Sequence, residues 1–186
     1  NEEEWLMEEA IAAQITNYLT KPVNPSQILI ACKNVFESRK IQSDRVAKDY
    51  LQSFQKITAL IENADCIDDW YAITDNLTDW LVKFDDLGDQ GLGQLLEEQW
   101  REANQQFTRF IEHNYKTWLH SNDKPIMSPN IIPSFLHNKM QNDEKVVLVI
   151  MDCLRADHFK AMTNQLSQIF HIDLDYYVSI LPTATP

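Results

Sequence analysis

At 186 residues the chain can hold one large domain or two smaller ones, and an apolar content of 44% is ordinary for a protein with a packed core. Its formal net charge of −12 argues against electrostatic binding to nucleic acid or to an anionic membrane face, so any nucleotide site must be local. No apolar run is long enough to span a bilayer and no signal-like amino terminus is present, so neither insertion nor export is supported. Three widely spaced cysteines, read as reduced, predict a cytoplasmic protein.

The chain opens in a charged helix, residues 1–13, with Glu2 to Glu4 in its first turn and Trp5, Leu6, Ala10 and Ala13 available for one face. A short strand, Ile15 to Thr20, closes at Lys21-Pro22. Asn24-Pro25-Ser26-Gln27 then has the chemistry of a helix start: an Asn cap, a Pro in the first turn and a Gln that can reach back. The helix it opens is expected to bury Ile28, Cys32, Val35 and Phe36. This α-β-α order, with Tyr18-x-x-Lys21-Pro22 at the strand end, resembles the last third of a response-regulator receiver domain. The resemblance implies that Lys21 is drawn to a phosphoryl group on an aspartate, that Tyr18 rotates inward on activation, and that the Lys21–Pro22 bond is cis. It also implies magnesium in the complete receiver.

From Ser43 to about Ser121 the period is helical throughout. Val46, Tyr50, Phe54, Ile57 and Ile61 form one stripe. Ile73, Leu77, Trp80, Leu81 and Phe84 form a second, and Leu92, Leu95, Leu96, Ala103, Phe107, Phe110, Tyr115 and Trp118 a third. Breaks at 63–69 and 88–93 divide them, predicting three antiparallel helices in a bundle with the aromatic stripe as core. Acidic residues outnumber basic ones in this region, which makes direct DNA binding a poor expectation. His113 and His120 lie seven apart without a third ligand and are read as structural or exposed. Cys32, Cys66 and Cys153 are odd in number and sit mostly within apolar stripes, as reduced core residues do. Pro125, Pro129 and Pro133 predict an extended lead-in over 122–134, with a helical turn or two over 135–140.

Six consecutive apolar residues, Val146 to Met151, end abruptly in Asp152. Such a run predicts a strand buried on both faces, and a carboxylate at its carboxyl end is a site candidate. One helix's worth of sequence follows. His171 to Ile180 then alternates, with Ile172, Leu174, Tyr176, Val178 and Ile180 on one face of a second strand. Thr183-Ala184-Thr185-Pro186 resembles a helix start, where a hydroxyl or its phosphoester would sit over free backbone N–H groups. A strand-end Asp152 and a helix-capping Thr185 within one β-α-β unit point to metal-assisted phosphoryl chemistry.

Asp152-x-x-Arg155-x-Asp157 followed by Pro182-Thr183-x-Thr185 resembles the alkaline phosphatase superfamily, and within it the PglZ domains. That resemblance implies two zinc ions in the complete domain, Asp152 as a metal ligand, and Thr185 as both nucleophile and metal ligand. Arg155 could touch substrate or support a ligand; Asp157 is read as a loop ion-pair partner or helix cap, and His158 as exposed. The whole order, receiver (1–40), three-helix connector (41–124) and PglZ lead-in with its first β-α-β unit (125–186), is similar to PorX-like response regulators. The fold class expected is therefore α/β at both ends around a helical bundle.

The function implied is a two-component regulator linked to type IX secretion. Its effector would resemble a zinc-dependent phosphodiesterase acting on nucleotide or oligonucleotide diesters. A sensor histidine kinase is the implied input, and phosphorylation would drive homodimerisation through the receiver surface, Glu2 to Phe36. The competing expectation is a non-catalytic scaffold that presents the PglZ fold and bundle to a sigma factor or other transcriptional partner. Both ends of the sequence read as cuts. In isolation it is expected to be inactive.

Overall fold

The computed structural model describes residues 19, 21–87, 90–142 and 144–183. The expected helix over 1–13, Tyr18 and Thr185 lie outside these residues, as does all but Leu19 of the expected strand Ile15–Thr20. The chain divides into two compact units, 1–52 and 53–186.

Within the first unit the Lys21–Pro22 bond is cis, and helix α1, Pro25–Asn63, begins where the sequence says it should. The Asn24 side chain accepts the Ser26 N–H at 3.0 Å, and Gln27 reaches back to the Asn24 N–H at 3.2 Å. Two of the donors that a helix start leaves unpaired are thereby satisfied. The outcome differs from the expectation in two respects. The expected helix and the first bundle helix are one continuous helix, because nothing between Phe36 and Ser43 is a Gly or Pro that would break it. Ile28 and Phe36 are 47% and 73% exposed and Cys32 is exposed, since no sheet lies against that stretch among the described residues.

The second unit is built on the end of α1, helix α2, Ile67–Leu87, and helix α3, Gln90–His120. Asn63 closes α1 by bonding back to the Ala59 carbonyl at 2.7 Å. Asp68 and Asp69 sit in the first turn of α2, where the helix dipole favours them. Ile57, Ile61, Trp70, Ile73, Leu77, Trp80, Phe84, Leu96, Ala103 and Trp118 are buried, so the three stripes meet as core. The aromatic stripe fills one end: Trp70 lies 5.2 Å from Phe107 and 5.9 Å from Phe110, and Phe110 meets Trp118 edge-on at 5.7 Å. The start of α2 thus packs on the later part of α3, which makes that pair antiparallel. Gln99, buried in α3, donates to the Phe54 carbonyl at 3.0 Å and the Thr58 hydroxyl at 3.1 Å, which ties α3 to α1.

Beyond α3 the chain is non-helical over 121–127, as the prolines predict, but the expected extended lead-in does not continue past Met127. Pro129 and Pro133 fall in the first turn of a 3-10 turn, Ser128–Asn130, and a wide π-type turn, Ile132–Leu136, positions where the missing N–H costs nothing. Short helix α4, His137–Gln141, and helix α5, Ala156–Leu166, follow. Among the described residues no strand forms, and the α/β expectation finds no support in them. Val147, Val149 and Ile150 are 87%, 71% and 84% exposed. A strand apolar on both faces needs neighbouring strands for its backbone and helices for its side chains, and the described residues place neither there. In 171–180 the alternation survives as burial without a ladder. Ile172 and Tyr176 are half-buried and Val178 is buried, while Leu174 and Ile180 face outward. The bridge that forms, Met127 with Val178, is isolated and parallel.

The three cysteines are exposed rather than core. His113, His120 and His158 are exposed, as expected. No helix of the described residues is long and apolar enough to cross a membrane.

Candidate functional site

Asp152 lies on an exposed turn that is sharpened by Cys153, whose φ of 58° is in the left-handed region. A side chain there costs about 1–2 kcal/mol relative to ordinary backbone. The Asp152 carboxylate offsets part of it by accepting the Cys153 N–H at 3.0 Å. The turn delivers the chain into α5, with Arg155 at its cap position in extended conformation. Arg155 grips Asp157 with two parallel bonds, Nε to Oδ1 at 3.0 Å and an Nη to Oδ2 at 2.9 Å, a planar fork that orients both groups. Asp157 is thus an ion-pair partner. Both residues line a cavity of about 560 Å³ with Thr74, Thr78 and Leu81 of α2 and Leu96 and Trp100 of α3.

Zinc prefers four ligands. Among the described residues one group of three potential ligand atoms lies within 4.8 Å, from Asp65, Cys66 and Asp69, and Asp152 is not in it. Asp152 therefore offers one oxygen donor, and the described residues around it do not compose a zinc site. That group has a structural account: the Asp69 carboxylate accepts the Cys66 thiol at 3.2 Å and the backbone N–H groups of Asp65 and Cys66 at 3.1 Å, closing the start of α2. The Cys66 thiol, then those backbone donors, hold the Asp69 carboxyl below the usual range. Lys21 is exposed in the first unit, and Asp152 and Arg155 belong to the second.

The best-built polar cluster is one the sequence did not announce. Lys160 of α5 is 17% exposed, and its ammonium meets Asp79 at 2.6 Å, the Asp75 carboxylate at 2.8 Å and the Asp75 carbonyl at 3.1 Å. Tyr176 donates its hydroxyl to the same Asp75 carboxylate, and its ring stacks on Tyr71 at 5.2 Å. Partial burial alone would raise the Asp75 carboxyl; the bonds from Lys160 and Tyr176, with the lysine charge, outweigh it and hold the group below its usual range. For Lys160, burial would lower the ammonium, and the two aspartates instead raise it. Burial, then Asp75, raises the Tyr176 phenol. The available signal was the Tyr71, Asp75, Asp79 spacing, which puts all three on one face of α2.

Downstream, Val178 seals against Trp118 and Met127. Its N–H donates to the Ile126 carbonyl at 2.8 Å and its carbonyl accepts the Ser128 N–H at 3.0 Å. The Leu181 N–H donates to the Tyr115 hydroxyl at 2.6 Å. A mainly apolar cavity of about 570 Å³ runs along this segment as far as Thr183, with Tyr71, Phe107, Tyr115 and Tyr177 in its walls. The cluster and these contacts hold the chain on both sides of α5 against the bundle.

Residues 40–119 match the family model of the PorX response regulator linker domain. The matched stretch covers most of α1, all of α2 and nearly all of α3, so the helical core of the chain is similar to a response-regulator linker. A search of curated proteins found no match.

Proposed function

We propose that the chain is the connector and adjoining segments of a two-component response regulator of PorX type, acting in the control of type IX secretion. The observation that carries this reading is the linker match over 40–119. A linker has two neighbours to join, and the flanking motifs supply candidates. On the amino-terminal side, Tyr18-x-x-Lys21-Pro22 supports a receiver that takes a phosphoryl group from a sensor kinase, with dimerisation as its response. On the carboxyl-terminal side, Asp152-x-x-Arg155-x-Asp157 and Pro182-Thr183-x-Thr185 support an effector of the alkaline phosphatase type. In this reading 146–151 and 171–180 are strands of a sheet completed by sequence other than the described residues.

The effector is proposed to cleave phosphodiesters of nucleotide type. Thr185 is the attacking hydroxyl: its oxygen bonds to phosphorus as the bond to one ester oxygen breaks and that alcohol leaves with a proton. Water then hydrolyses the Thr185 phosphoester to a phosphomonoester. Asp152 is an anionic ligand, and Arg155 an anchor for a phosphoryl oxygen once its fork opens from Asp157. Zinc is the metal proposed, with donors additional to Asp152. The test uses full-length protein: bound zinc and hydrolysis of a chromogenic phosphodiester, with Thr185→Ala and Asp152→Ala beside it. Zinc with turnover abolished by Thr185→Ala is expected; turnover indifferent to Thr185 would overturn the catalytic reading.

The second reading is a scaffold that offers the bundle to a transcriptional partner. Packing of Val178 on Trp118 and Met127 favours it, because it joins the carboxyl-terminal segment to the bundle. Signalling retained in a Thr185→Ala variant supports the scaffold.

A further inference from the structure

We infer that one face of α2 is a clamp that makes α5 and the segment after it move as one body with the linker, and that Lys160 is its positioning residue. Three residues at four-residue spacing on α2 take part, and between them they hold two side chains of the carboxyl-terminal segment, Lys160 and Tyr176. Tyr71 stacks on Tyr176 with the rings 20° from parallel. Asp75 receives both Lys160 and Tyr176, and Asp79 receives Lys160 alone. Asp75 is therefore shared between α5 and the strand-like segment 171–180: both bonds fall on its Oδ1, so removing that one carboxylate releases both segments from α2.

The location gives the clamp its consequence. Asp152 and Arg155 immediately precede α5, and Tyr176 is seven residues before Thr183. A rigid attachment at Lys160 and Tyr176 fixes both ends of the span 152–183 to one helix. That helix belongs to the stretch similar to a response-regulator linker. A shift of α2 is then carried to both ends together. The clamp itself stands on the contacts; its role in signalling rests on the regulator reading proposed above.

A salt bridge at a surface has a small effect when isolated, but this lysine is mostly removed from water and makes three bonds. Local opening of α5 should therefore depend on it.

The experiment is hydrogen exchange on full-length protein, unphosphorylated and with beryllofluoride as the phosphoryl mimic, comparing wild type, Lys160→Met, Lys160→Arg and Asp75→Asn. In the unphosphorylated state, Lys160→Met and Asp75→Asn should raise exchange about tenfold in 156–166 and 174–180 while α3 is unchanged, and Lys160→Arg should restore much of the protection. Unchanged exchange in Lys160→Met overturns the clamp. With beryllofluoride, wild type should change exchange in 156–180 and Lys160→Met should not. Equal transmission in both overturns the coupling role. Absence of any beryllofluoride response in wild type counts against the regulator reading, while the unphosphorylated comparison still decides the clamp.

Discussion

The phenol of Tyr176 donates a hydrogen bond to the Asp75 carboxylate across 101 residues of sequence, while its ring lies stacked on Tyr71. Polar and apolar attachment are thus combined in one side chain, and substitution separates them. Tyr176→Phe keeps the stack and removes a bond to a charged acceptor, a loss of about 1.5–3 kcal/mol. Tyr176→Ala also loses the ring and should cost roughly 1 kcal/mol more for the aromatic pair. Urea titration followed by Trp fluorescence would read both. Equal destabilisation by the two variants would contradict the stack's contribution.

Gln99 is 1% exposed in α3 and satisfied by two acceptors on α1. Gln99→Ala leaves the Thr58 hydroxyl without this donor and opens space in the core, so a loss of about 1–3 kcal/mol is expected. Thr58→Ala removes only one of the two acceptors and should cost less. In a double-mutant cycle the pair should couple, because they share one bond. Additive effects would show that the bond to Thr58 contributes nothing beyond the bond of Gln99 to the Phe54 carbonyl and its packing.

The bundle could be read from sequence because its information is local: Ile73, Leu77, Trp80 and Phe84 recur at helical spacing and all are buried. The capping box at Asn24 and Gln27 was legible for the same reason. The segment 146–151 was not, because its apolar period specifies a strand only when sheet neighbours exist, and among the described residues it is unpaired and exposed. Exposure of Cys32 and Phe36 has the same origin, a stripe with no partner surface on it. Lys160, Asp75 and Asp79 escaped notice, and Tyr176 was read only as part of one strand face, because their association is set by tertiary packing of α5 on α2. Each of the three charged residues alone looks like an ordinary solvated side chain.

Leu77 is fully buried on α2, two residues from Asp75, and gives a control for the clamp variants. Leu77→Ala should destabilise the second unit by about 2–5 kcal/mol through lost transfer energy and a residual cavity. Its effect should be spread over the α2 and α3 amides in hydrogen exchange, whereas clamp variants act on 156–166 and 174–180. Clamp variants that raised exchange over α2 and α3 in the same pattern as Leu77→Ala would mean that the bundle and α5 do not have separate stabilities.

The titration of the cluster gives stability a shape in pH. Asp75 is held below its unfolded value, so its contribution is complete above the ordinary carboxylate range and is lost as pH falls through the lowered folded value. Lys160 and Tyr176 are both raised, so their contributions are complete below their unfolded values, 10.5 and 10.0, and are lost as pH rises beyond them. Between these limits the cluster should contribute a plateau. Asp75→Asn should therefore reduce stability at neutral pH and make the difference from wild type shrink on acidification below about pH 4, near the reference carboxylate value. Tyr176→Phe should leave the acid side with a smaller change and reduce its difference from wild type above about pH 10. Thermal unfolding from pH 3 to 11 would measure both, and a wild-type minus Asp75→Asn difference that stays constant through the acid range would refute the assignment of that limb to Asp75.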